Sequence, residues 1–411
     1  MIARLEGQVV LVSGAVPGER VLARVERTEK RLAFASVVDV REPSPDRRAG
    51  FPDPSCGGCV YSHIDYPRQV ALKADIVRDA FLRLGRLPID SPIPVAPSPE
   101  RGYRTRARFH VDGTRVGFYR EGTHTLCDAA VTGQVGNAGL AAVSSVVSAL
   151  ASAGARVASI ELAESVDAGQ RIVAVTVNDV RTVSDAAWES LPAAAGLTGC
   201  AAKDSEGRRV EVGDPWIVDP LSTLTSGRVQ QGGLRHGTEP FFQSNRFLLP
   251  DLVAAVLDAV APDGAILDLY AGVGLFSVAL AAAGRRDITA VEGDRASGAD
   301  LRHNARQSCV APGALTTVLD SVERHLQRRS RGQPTPATVI VDPPRTGMSA
   351  GVLGSIVTLG SPRIVYVSCD PATMARDARR LVDGGYRLQS LRAFDLFPNT
   401  PHVETMGVFV W

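Results

Sequence analysis

Three apolar runs end in side chains that could do chemistry. In "VIVDPPRTG" a strand-like run delivers Asp342, then Pro343, Pro344 and Arg345. Two prolines fix the backbone and remove two donors, so the carboxylate leaves the run on a rigid turn. In "IVYVSCDPATMARDARRLV" a second run delivers Cys369 where a helical pattern begins. A thiol between a strand and a helix N-terminus can have its pKa lowered, which suits a nucleophile. Taken alone, the same cysteine is more cheaply read as a small buried hydrophobe. "PHVETMGVFVW" places Glu404 at the start of the last run. A thiol and two carboxylates make a nucleophile with acid–base partners, provided the elements bring them to one pocket.

A cofactor signal lies upstream. "ILDLYAGVGLFS" puts Asp268 at a strand end, then Gly272 and Gly274, then a helix. Glycines at such a turn let the backbone approach a ligand closely. The next strand ends at Glu292, 18 residues past Gly274, where an acid can accept hydrogen bonds from both ribose hydroxyls. A dinucleotide site would want a third glycine at 277, but Ser277 stands there. The pattern therefore favours S-adenosylmethionine, with a purely structural glycine turn as the alternative. Asp320, after "ALTTVL", sits where an adenine contact is usual and also reads as a helix cap.

These segments need a particular frame. From about residue 243, apolar strands alternate with helices, and "YRLQSLRAFDLFP" and "HVETMGVFVW" close as a hairpin. The pattern implies a parallel α/β sheet covered on both faces, Rossmann-like, with an antiparallel pair at its end. Three domains are expected: a small β-barrel over 1–48, a central α+β domain over 49–235, and the cofactor domain over 236–411. In the helix "YPRQVALKADIVRDAFLRLG", Val70, Ile76, Val77, Phe81 and Leu84 share one face.

The 411 residues are 45% apolar and 22% charged, with formal net charge +1, so overall charge decides nothing about nucleic acid. No signal-like N-terminus or membrane-length apolar run is present, and a cytoplasmic protein that is monomeric is expected. Six cysteines in this length make a disulfide scaffold improbable.

"FFQSN", "DLYAGVG", "DPPR", "VSCDPAT" and "FPNTPHVE", in that order, resemble the motifs of the RNA uracil-C5 methyltransferase family, makers of 5-methyluridine in tRNA and ribosomal RNA. "VVLVSGAVPGERVLARV" resembles the TRAM domain, an OB-like RNA-binding barrel, although one opening strand looks absent. The resemblance implies a class I methyltransferase fold and methyl transfer from S-adenosylmethionine to C5 of a uridine in RNA. It implies Cys369 as nucleophile on uracil C6 and Glu404 as base. It also implies Gln243, Tyr270, Glu292 and Asp342 as cofactor contacts beside Gly272 and Gly274. Leu275 departs from the family, which often has a polar residue after the second glycine. Ribosomal RNA is the favoured substrate, with tRNA open. The competing readings are another base, such as cytosine C5, or an RNA-binding protein whose site has decayed.

"CGGCVYSHIDYPRQVALK" is similar to the family's iron–sulfur region, with Cys56 and Cys59 in register. Gly50 occupies the place of the first family cysteine, and Cys127 is displaced from that of the last. A [4Fe-4S] cluster needs four ligands, so its loss is expected, with CGGC left as a turn. "RGYRTRARFHVDGTRVGFYR", with six arginines and Tyr103, Phe109, Phe118 and Tyr119 interleaved, suits RNA contact.

Overall fold

The computed structural model describes residues 1–50, 52–329 and 333–411. The first four strands are β1 (Ile2–Leu5), β2 (Gln8–Ser13), β3 (Arg20–Thr28) and β4 (Leu32–Glu42). They form one sheet in the order β1-β2-β4-β3. β1 precedes the first strand legible in the sequence. All four of its residues are exposed, so no burial periodicity announces it.

Helix α1 (Tyr66–Arg83) and strand β5 (Val95–Ala96) follow. Both pack on the catalytic domain rather than on the sheet that comes next. Val77 and Phe81 of α1 share a core with Met374, Ala375 and Ala378, and β5 adds a parallel edge to the catalytic sheet. The buried stripe of α1 is Gln69, Lys73, Val77, Ala80 and Phe81. Leu84, expected on the apolar face, is 55% exposed. Two polar residues replace it because the surface they face is itself polar.

The central domain is built from β6 (Arg106–Asp112), β7 (Arg115–Tyr119), β8 (Leu126–Asp128), α2 (Ala129–Thr132), α3 (Asn137–Ser152), β9 (Val157–Glu164), β10 (Arg171–Val177), α4 (Asp185–Ala195), β11 (Gly199–Lys203) and β12 (Arg209–Gly213). Its sheet runs β12-β11-β10-β9-β6-β7-β8. Alternate residues, including Phe109, Ile160, Leu162, Val173 and Val175, bury against Val143, Val146 and Val147 of α3 and Trp188 of α4. A short pair, β13 (Ile217–Pro220) and β14 (Gly233–His236), with α5 (Leu221–Leu224) between, leads to the last domain.

That domain contains α6 (Leu249–Ala259), β15 (Ile266–Leu269), α7 (Leu275–Ala282), β16 (Ile288–Glu292), α8 (Arg295–Asn304), β17 (Leu315–Leu319), α9 (Val322–Arg328), β18 (Thr338–Val341), α10 (Ala350–Leu359), β19 (Arg363–Ser368), α11 (Pro371–Asp383), β20 (Arg387–Phe394) and β21 (Glu404–Val410). The sheet order is β17-β16-β15-β18-β19-β21-β20-β5. β15 to β19 are mutually parallel, and β21 runs antiparallel between β19 and β20. The order reverses between β15 and β18. In such sheets a crevice opens at that point, beyond the carboxyl ends of the strands.

Candidate active site

Strand topology carries the chemical residues to this one edge. Asp268 and Tyr270 lie at the end of β15, Glu292 at the end of β16, Asp342 just after β18 and Cys369 just after β19. Because β21 is antiparallel, its first residue, Glu404, arrives at the same edge. Its neighbour Thr405 pairs with Ser368.

The turn after β15 is conformationally demanding. Gly272 and Gly274 have φ of +57° and +96°, and Tyr270 sits at +61° despite its side chain. A Cβ on Gly274 would lie 2.7 Å from Val278 and 2.8 Å from Leu301. Glu292 pins this turn, its Oε2 accepting the Gly272 N–H at 2.7 Å and its Oε1 that of Asp294 at 2.6 Å. Asp320 ends β17 with its carboxylate held by Arg324 and Arg328.

The centre of the crevice is acidic. Asp268 and Glu404 are each 1% exposed, and none of their four carboxylate oxygens has a hydrogen-bond partner among the described residues. Burial pushes the Asp268 carboxyl up to about 7, against the pull of Ser277 and with help from the charges of Asp342 and Glu292. Asp342 is likewise raised by burial to about 7, although Gln243 reaches it from 3.5 Å. Glu404 is pushed well above the usual carboxylate range by burial, then by Asp342, with Arg345 opposing. Buried acids of this kind are neutralised by a proton or by a cation brought in with a ligand. The positively charged sulfonium and amino groups of S-adenosylmethionine fit that need.

Cys369 departs from expectation. It precedes α11, whose first N–H groups are capped by Asp370, Oδ1 accepting from Ala372 at 2.8 Å and Thr373 at 3.0 Å. The helix terminus is thus already satisfied by a carboxylate. Burial, then the Glu404 charge, pushes the thiol up to about 11, with Arg345 pulling it down. Arg345 is therefore the cation of the site, a role its motif alone did not disclose. Cys369 opens onto a groove of about 1140 Å³, walled by Pro371 and His402 on one side and by α1 and the first sheet on the other. Burial, then Arg345 and Lys73, holds His402 below the ordinary imidazole range. Phe241, beside Gln243, is 72% exposed, a property that spacing could not reveal.

Comparison with known proteins gives the family. Residues 204–411 match the model of the tRNA (uracil-5-)-methyltransferase family, and residues 1–38 that of the TRAM domain. The 23S rRNA (uracil(1939)-C(5))-methyltransferase RlmD of Halomonas elongata is 34% identical, over 98% of this chain and 85% of its own. The protein of the same name from Alkalilimnicola ehrlichii is 32% identical, over 99% and 93%. The chain belongs to the RNA uracil-C5 methyltransferase family. The Pyrococcus abyssi tRNA (uracil-54, C5)-methyltransferase, solved with S-adenosyl-L-homocysteine, has the same fold, with TM-score 0.77 and 24% identity over 98% of this chain and 95% of that one. As a family member, this protein is an S-adenosylmethionine-dependent RNA uracil-C5 methyltransferase with an N-terminal TRAM domain.

Two family regions differ from the sequence-based picture. Cys56 and Cys127 form a disulfide across 71 residues, with Cys59 buried beside them. The Gln134 amide packs against the CGGC turn, donating to Gly57 O at 2.8 Å and accepting from Arg104 at 2.8 Å. Two bonded cysteines and one thiol raised by burial to about 11 do not fit a four-ligand cluster. The arginine–aromatic stretch is mostly structural. Tyr103, Phe109 and Phe118 are buried. The Arg106 guanidinium is spent on the Gly237 and Thr238 carbonyls. Arg108 and Arg115 remain exposed, and Tyr119 stacks on His110 at 3.7 Å. Among the described residues, no helix is long and apolar enough to cross a membrane.

Proposed function

We propose that the enzyme methylates C5 of a uridine in ribosomal RNA through a covalent link between Cys369 and C6. The observation that carries this reading is the convergence of Cys369, Arg345, Asp342 and Glu404 at one sheet edge. Uracil C5 is too weak a nucleophile to take a methyl group unaided. The Cys369 thiol loses its proton to water, its thiolate sulfur adds to C6, and the C5=C6 electron pair delocalises toward C5 and O4. Arg345 favours the thiolate form of this sulfur. Bound S-adenosylmethionine supplies an electrophilic methyl group, which C5 takes. Glu404 then removes the C5 proton, the C5=C6 double bond reforms and Cys369 leaves as thiolate.

Gln243, Tyr270, Gly272, Gly274, Glu292, Asp320 and Asp342 would hold the cofactor in this reading, with the buried Asp268 carboxyl at the same edge. His402, which walls the groove beside Cys369, flanks a uridine extruded from its stack. Ribosomal RNA is favoured over tRNA because the relatives named for 23S rRNA match almost the whole chain. The enzyme acts as a monomer in the cytoplasm. Labelled-methyl transfer to 23S rRNA and to tRNA, with mapping of the product, tests the substrate. Methylation of tRNA alone would overturn the choice, and Cys369→Ala that still methylates uridine would overturn the nucleophile.

A further inference from the structure

Glu404 is reached through the loop 395–403, and that loop is gripped from outside the catalytic sheet. Tyr66, Gln69 and Lys73 form a polar stripe on α1, and Gln69 and Lys73 are 0% exposed. The Lys73 ammonium donates to the buried Asp395 carboxylate and, at 3.0 Å, to Phe397 O. Tyr66 Oη donates to Asp395 Oδ2 at 2.9 Å and accepts the Ser98 N–H at 2.7 Å. Gln69 clasps Asn399 twice: Oε1 accepts its N–H at 2.9 Å, and Nε2 donates to its Oδ1 at 3.0 Å. Arg48 donates to the same Oδ1 at 2.7 Å. Asn399 itself sits at φ +63°, a strained backbone that such a clasp holds in place.

A fully buried ion pair contributes little net stability compared with apolar packing of the same shape. What it fixes here is the path of a loop whose next side chains are His402 and Glu404. We propose that the Lys73–Asp395 pair and the Gln69–Asn399 clasp are positioning residues for Glu404 and set the rate of the closing elimination. The inference rests on the reading of Glu404 as the base. In that step the Glu404 carboxylate takes the C5 proton, the C–H electrons become the C5=C6 double bond, and the C6–S pair returns to Cys369. Displacing a catalytic group by about 1 Å can cost about 100-fold in rate. Glu404 exchanges no proton in sulfur addition or methyl transfer, and moving its charge away from Cys369 does not hinder the thiolate, so its displacement makes the methylated protein–RNA adduct accumulate.

The test uses the full-length enzyme with S-adenosylmethionine and a labelled rRNA fragment. In Lys73→Met/Asp395→Leu, apolar groups replace the buried pair. The expected result is a folded enzyme with KM values within about 3-fold of wild type, kcat lowered roughly 10- to 100-fold, and an RNA-shifted protein band on denaturing gels. Asn399→Gly, which permits the positive φ and removes the clasped amide, gives the same band in a second background. Wild-type kcat in either folded variant, or a kcat loss without the adduct, overturns the positioning role. Cys369→Ser gives no adduct. A wild-type enzyme that methylates no uridine and forms no adduct would instead sink the functional reading itself.

Discussion

The thiol of Cys369 offers the sharpest quantitative check on the site. Burial and the Glu404 charge carry it from an ordinary 9.0 to about 11, against the pull of Arg345. Two pKa units mean about 100-fold less thiolate at neutral pH than an ordinary cysteine holds. A more basic thiolate is also more nucleophilic, with a Brønsted slope of about 0.4–0.5, which returns about 10-fold. The net expectation for the cofactor-free enzyme is alkylation at pH 7.5 about 10-fold slower than for a model thiol. The rate should climb about 10-fold per pH unit through pH 9 and level off only near 11. The assay is iodoacetamide labelling at several pH values, with the Cys369 peptide quantified by mass spectrometry. Cys59 and Cys200 are buried, and Cys56 and Cys127 are bonded, so partly exposed Cys309 is the internal comparison. Arg345→Gln should move the plateau higher still, because it removes the cation that favours the thiolate. A Cys369 rate that levels off below pH 8.5 would refute the reasoning. It would mean that the α11 terminus or Arg345 outweighs burial.

Further outcomes follow from the same geometry. Glu404→Gln should form the Cys369–RNA adduct yet turn over at least about 100-fold more slowly, seen as a shifted band on a denaturing gel; normal turnover would remove Glu404 as base. Asp268 and Asp342 are raised to about 7 in the folded chain, so the fold binds their protons more tightly than the unfolded chain does. Cofactor-free stability should therefore fall as pH rises from about 4 to about 7, and Asp268→Asn should flatten that slope in thermal melts while weakening S-adenosylmethionine binding. Gly274→Ala should cost about 1–3 kcal/mol by denaturant melts, since its Cβ meets Val278 and Leu301 at a φ of +96°. Cys56→Ser opens a link across 71 residues and should lose about 2–4 kcal/mol in non-reducing melts; an unchanged melting temperature would argue against the disulfide.

The catalytic sheet was legible because buried parallel strands write themselves as apolar runs, and each run stops at the residue it presents. Asp268, Glu292, Asp342 and Cys369 could be placed on one edge from that rule alone. Glu404 joined them because the closing hairpin reverses direction. What the runs could not convey is how charges settle once they meet. The expectation of an acidic thiol at Cys369 rested on the α11 terminus as an open site, but Asp370, the next residue, caps it. The sequence contained that aspartate and treated it as part of a motif. Only proximity shows that burial and Glu404 then dominate.

The same gap between type and neighbour explains the two other departures. Tyr103, Phe109 and Phe118 alternate with arginines in a way that suits RNA. Yet alternation on a half-buried strand is also how a core face is written, and the core claimed Phe109 and Phe118, while Tyr103, ahead of the strand, is buried as well. On α1 the error ran the other way. Gln69 and Lys73 look like solvent-facing residues beside the apolar face of Val70, Ile76, Val77, Phe81 and Leu84. They are buried because their partners, Asp395, Phe397 O and Asn399, arrive more than 300 residues later. A buried lysine has meaning only with its acid, and no local pattern can pair residues at that separation. Polar side chains that break an otherwise apolar helical face therefore point to a distant polar loop, and here that loop is the one that leads into Glu404.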